Sequence, residues 1–162
     1  MNHRKKINIQ DVKAFIEQHP GSKVYLGCDS ERVVVDSTWH ADYATVVVVH
    51  IGGRHGCKVF GQVERERDYD QQKGKPRMRL MNEVYKVSAL YLELAEAMGD
   101  PNFDCQIHLD INPSELYGSS CVVNEAIGYV RAMTNVVPLV KPHGFAASHC
   151  ADRLKELKLS AA

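Results

Sequence analysis

The chain has 162 residues, 44% of them hydrophobic and 25% charged, which suits one soluble domain with a real core. Twenty basic residues balance twenty acidic ones, which excludes a strongly basic nucleic-acid-coating protein but not a local basic face beside an acidic site. No apolar run approaches the roughly 20 residues of a membrane helix, MNHRKKINIQ has no apolar segment behind it, and the five cysteines form no CxxC pair; the expectation is a cytoplasmic protein with reduced thiols.

The segment NIQDVKAFIEQHPG reads as a short amphipathic helix, with Val12, Phe15 and Ile16 on one face and Pro20-Gly21 as its stop. SKVYLGCDS is a short apolar strand ending at an aspartate. WHADYATVVVVHI and CKVFGQVERE are two further strands joined as a hairpin through GGRHG. RDYDQQKGKPR is polar and loop-like. From Arg77 to about Met98 the spacing becomes helical, with Leu80, Val84, Val87, Leu90, Tyr91 and Leu94 as the apolar stripe. CQIHLDIN is a fourth strand, again ending at an aspartate. CVVNEAIGYVRAM is a helix, NVVPLVK a fifth strand, and a last helix is expected from about Ala146 to Leu157. Three leading strands followed by alternating helices and strands point to a mixed sheet with helices on its faces.

Four carboxylates stand out in this frame. Asp29 and Asp110 each close an apolar strand, where α/β sheets gather their sites, although an aspartate also starts turns. Alternation puts Asp29 on the face opposite Val24, Leu26 and Cys28, and Asp110 on the face of Gln106 and His108. Glu83 lies three residues after Leu80 and four before Val87, on or beside the apolar stripe, where it wants a cation unless its stem snorkels outward. Asp152 falls in the first turns of the last helix, three residues after His149, where the helix dipole alone also favours an acid. Such a set of hard oxygen donors suits Mg²⁺ or Mn²⁺. Two such ions serve phosphodiester hydrolysis.

Asp29, Glu83, Asp110 and Asp152 occur in the order and on the element types that resemble the ribonuclease H-like nuclease superfamily. YLGCDS, IHLDIN, SSCVVNEAIGYV and KPHGFAASHCADR are similar to its YkuK-like branch, found in bacteria and their phages and without an assigned substrate. The resemblance spans most of the chain after about Lys23. It implies one ribonuclease H-like domain over residues 1–162, with a five-stranded mixed sheet, helices on both faces, and residues 1–22 as an accessory leading helix. It also implies a metal-dependent nuclease. The pairing of His149 with Asp152 resembles a terminal metal-binding pair of some junction resolvases, and His143 is placed like the mobile histidine of ribonuclease H enzymes.

The resulting expectation is a hydrolase using two Mg²⁺ or Mn²⁺ ions, held by Asp29, Glu83, Asp110 and Asp152 with His149. Its substrate would be RNA/DNA hybrid, RNA or branched DNA. Lys73, Lys75, Arg77 and Arg79 cluster before the Glu83 helix as phosphate contacts or as a solvated loop, with Lys141 a weaker candidate. A non-catalytic nucleic-acid- or protein-binding module on the same fold is the other reading. A zinc site from His143, His149 and Cys150 is disfavoured: neighbouring helical residues point about 100° apart, and no fourth ligand is spaced for it.

Overall fold

Asn8 opens the first helix. Its Oδ1 accepts from the amides of Gln10 and Asp11 at 3.0 and 3.2 Å, satisfying donors that a helix start leaves unpaired, and α1 runs Ile9–Gln18. The computed structural model describes residues 5–52, 56–70, 76–114, 120 and 122–144. Three antiparallel strands follow α1: β1 (Lys23–Val35), β2 (Thr38–His50) and β3 (Cys57–Arg67). Then come α2 (Arg77–Met98), β4 (Cys105–Leu109) and α3 (Val123–Thr134). The sheet is mixed, in the order β3-β2-β1-β4, with β4 parallel to β1.

Two findings depart from the expected strands. The first strand does not end at Asp29: β1 continues six residues further and pairs with β2 from Lys23↔His50 to Val35↔Thr38. The β-branched run Val33–Val35 carries it on. Asp36 and Ser37, at φ 48° and 60°, form the two-residue left-handed turn that matches strand twist. The fifth strand expected at NVVPLVK is reduced to one parallel bridge, His108↔Leu139. Leu139 donates to Ile107 O and its carbonyl accepts from Leu109 N, both at 2.8 Å. Pro138 has no N–H to extend the ladder. The sheet is therefore four-stranded among the described residues.

One face of the sheet carries the main core. Val24, Leu26 and Cys28 of β1, Ala41, Tyr43, Val47 and Val49 of β2, and Cys105, Ile107 and Leu109 of β4 meet Val12 of α1. Leu80, Val84, Val87 and Leu94 of α2 join them, with Ala126 and Val130 of α3. All three described helices thus share that face. The other face holds a smaller buried set, Tyr25, Ala44, Val46, Val48 and Val63. The helix expected over 146–157 lies outside the described residues.

Candidate active site

The parallel pairing of β1 with β4 fixes the site. It runs from Val24↔Cys105 to Cys28↔Leu109 and stops there. Asp29 and Asp110 are the next residue on each strand. Asp29 goes on to pair with Ala44 of β2, where strand alternation turns it to the face opposite Cys28, while Asp110 follows the last paired residue of β4.

Glu83 approaches from α2. It is 3% exposed, on the helix side turned to the sheet. Ser30 Oγ donates a short hydrogen bond to Glu83 Oε1. Arg79, one turn earlier on α2, donates from Nη1 to Ser30 Oγ at 3.0 Å and to Ser30 O at 3.2 Å. Burial is the main reason that the Glu83 carboxyl is held well above the usual carboxylate range. Asp29 pushes it further in the same direction, as does Asp110, while the Ser30 hydrogen bond and the Arg79 charge oppose the shift. Asp29 and Asp110 thus both lie within electrostatic reach of Glu83.

Asp110 has its own cation: Lys141 Nζ lies 2.6 Å from Asp110 Oδ1. Lys141 is carried by the segment that bridges to β4, where its amide donates to Ile111 O at 3.1 Å. Gly144 closes this turn. A Cβ there would come within 2.6 Å of Leu139 O and 3.4 Å of His108 Cβ, so only glycine allows the close approach. His143 is exposed on the same turn.

The start of α2 is held by a chain of polar contacts that sequence reasoning did not single out. Arg32 Nε pairs with Asp68 Oδ2 at 2.6 Å, and Arg32 Nη2 donates to Asp70 O at 2.9 Å. Asp68 Oδ1 accepts from Asp70 N, and the two Asp70 oxygens accept from the amides of Met78 and Arg79, all at 2.9 Å. Asp70 therefore caps a helix whose preceding residue, Pro76, has no capping side chain. Ser30, too, was passed over. Its signal was its place next to Asp29, since alternation then turns it to the helix side.

Arg77 is exposed and pairs with Glu125 at 2.5 Å. His108 is fully buried, with Nε2 3.0 Å from Gln106 Oε1 and its ring 5.0 Å from Tyr25. Burial pulls its pKa down to about 4, so it is a neutral structural histidine at physiological pH. Cys28 is buried in the core, and burial raises its thiol pKa, which fits no nucleophile. Lys73, Lys75, His149 and Asp152 lie outside the described residues.

The family model described as Ribonuclease H-like matches residues 8–156. The chain belongs to the ribonuclease H-like family. No curated protein and no solved structure matches it. The ribonuclease H-like match takes in α1 as well as the sheet, α2 and α3. No described helix is long and apolar enough to cross a membrane.

Whether a divalent cation fits can be tested on the donors themselves. Asp29 and Glu83 are buried, Asp110 is paired with Lys141, and Asp29 and Asp110 both raise the Glu83 pKa; all three are hard oxygen donors. Charge and donor type therefore fit Mg²⁺ or Mn²⁺. Among the described residues no group of three or more acidic, histidine or cysteine side chains is close enough to hold a metal ion. Glu83 is turned to Ser30 and Asp110 to Lys141.

Proposed function

We propose that this ribonuclease H-like protein is a divalent-metal-dependent nuclease that hydrolyses phosphodiester bonds in RNA/DNA hybrid, RNA or branched DNA. The observation that carries the reading is the electrostatic convergence of Glu83, Asp29 and Asp110 where β1 and β4 part. Such a charge arrangement is unfavourable for folding alone and is expected of a site that receives cations. Asp29, Glu83 and Asp110 would hold two ions, Asp110 being the bridging candidate. Asp152 and His149 would complete the set from a helix over 146–157 on the second face. Mg²⁺ or Mn²⁺ bound there would acidify the attacking water and neutralise charge on the leaving oxygen. The chain's own residues do the rest. Asp29 is seated by pairing with β2 and Asp110 follows the last paired residue of β4, Ser30 and Arg79 orient Glu83, and Lys141, beside Asp110, would contact phosphate together with His143. Lys73, Lys75 and Arg77 would extend that contact.

Labelled hybrid, junction, single-stranded and duplex substrates incubated with Mn²⁺ test the reading. Cleavage is expected, and Asp110→Asn is expected to lose it; cleavage that survives Asp110→Asn would sink the mechanism. A second reading has one observation in its favour: Asp110 and Glu83 already have protein partners in Lys141 and Ser30. On that reading the protein binds nucleic acid or protein without catalysis. Calorimetric titration separates the two, because only the nuclease takes up Mg²⁺ or Mn²⁺.

A further inference from the structure

The β1–β2 hairpin beyond Ser30 contributes none of the acids, yet it carries an unusual surface. Trp39 is 46% exposed and Tyr69 is 60% exposed, with Val34 and Met78 exposed nearby. These residues form one patch. Val34 pairs with Trp39 across the hairpin. Asp68 N donates to Trp39 O at 3.0 Å, which places Tyr69 at the next step. Asp70 then caps Met78. Each aromatic ring has an arginine on it. The Arg32 guanidinium lies 4.3 Å from the Trp39 ring centre, and that of Arg67 5.2 Å from the Tyr69 ring centre.

The two arginines differ in a way that matters. Arg32 is tied down by Asp68 and Asp70, so it holds one face of Trp39 and leaves the ring otherwise open to a flat partner. Among the described residues no carboxylate ion-pairs with Arg67, so its charge is available to an anion. An open aromatic face beside an available guanidinium is the combination that binds unpaired bases and their phosphates. The patch is also continuous with the candidate acid site. Ser30, which holds Glu83, is two residues from Arg32 and four from Val34 on β1, or roughly 7 and 13 Å along the strand.

The geometry points to a stacking platform for single-stranded nucleic acid at Trp39 and Tyr69, which receives the strand leaving the acid site. This inference rests on the nuclease reading for its direction, not for its residues. A paired duplex keeps its interior bases stacked on one another and offers Trp39 only its two end pairs; an unpaired strand offers every base.

Trp39 is the chain's single tryptophan, so its fluorescence reports the platform directly. The full chain is titrated in EDTA with single-stranded oligonucleotides and with blunt duplex of equal length, while the anisotropy of a labelled oligonucleotide follows binding in parallel. Quenching by single strands in step with the anisotropy is expected, with little quenching by duplex. Trp39→Ala should weaken single-strand binding roughly tenfold, and Trp39→Phe should recover most of it, which guards against a simple folding defect. Binding without quenching, or Trp39→Ala binding as well as wild type, overturns the platform. Cleavage in Mn²⁺ with unquenched Trp39 would overturn the platform and leave the nuclease reading standing. Quenching without cleavage would support the platform and remove the nuclease reading.

Discussion

Glu83 and His108 are buried titratable groups of opposite sign. Burial, then Asp29, raises the Glu83 pKa. The folded state thus keeps its proton to higher pH than the unfolded chain, whose glutamates titrate near about 4.3. Its contribution to stability is full below that value and is lost as pH rises through the folded value. Glu83→Gln mimics the protonated form at every pH. In metal-free protein it should melt a few degrees higher than wild type at neutral and alkaline pH, with the gap closing toward about pH 4. Thermal scans across that range check this, and a wild type that melts higher at alkaline pH would count against it. His108 works the other way. Its pKa is lowered to about 4 by burial, so its contribution is present above the unfolded value near 6.5 and is lost as pH falls through about 4. His108→Gln should flatten the acid limb of the stability curve by up to roughly 3 kcal/mol, read as the pH dependence of the urea midpoint.

The secondary-structure elements show what was legible in the sequence. α2 was legible from end to end because a 22-residue apolar stripe sits between Pro76 and Gly99, the latter at φ 62°. The end of β4 just before Asp110 was legible as well. The length of β1 was not: an aspartate after an apolar run looks like a stop, and only pairing with β2 keeps the chain extended through Glu31 and Arg32. Segment 135–141 failed for a related reason, since its valines promise a strand that Pro138 cannot complete. The turn of Glu83 toward the sheet was legible from its place beside the apolar stripe of α2, whereas the polar chain through Asp68 and Asp70 had no periodic signal to betray it. Two substitutions test these elements. Ser37→Gly relieves a non-glycine residue at φ 60° and should stabilise by about 0.5–1 kcal/mol in urea denaturation. Asp70→Ala removes both caps of α2 and should cost about 1–2 kcal/mol, with a loss of amide protection at Met78 and Arg79 in hydrogen exchange.

At the scale of the whole molecule, β1 joins the parallel half of the sheet to its antiparallel half, with Asp29 and Asp110 where the parallel pairing ends. On the nuclease reading, saturating Mn²⁺ stabilises the native state. At a hundredfold excess over its dissociation constant the gain is about 2.7 kcal/mol. The melting temperature should rise by several degrees in wild type and much less in Asp29→Asn, Glu83→Gln and Asp110→Asn; equal rises in all four proteins would place the ion elsewhere. The feature behind all of this is where β4 stops. β1 goes on with β2 alone past Cys28, and the chain after Leu109 takes its own path. That divergence is a fork made of main chain, and its shape owes nothing to which side chains stand at its two prongs. Mutational drift can therefore exchange the donors at the fork without rebuilding the scaffold: an asparagine, a serine or a longer acid would inherit the same seat. On the nuclease reading, loss of chemistry and loss of fold would be uncoupled here, and a silent descendant would keep the same fork.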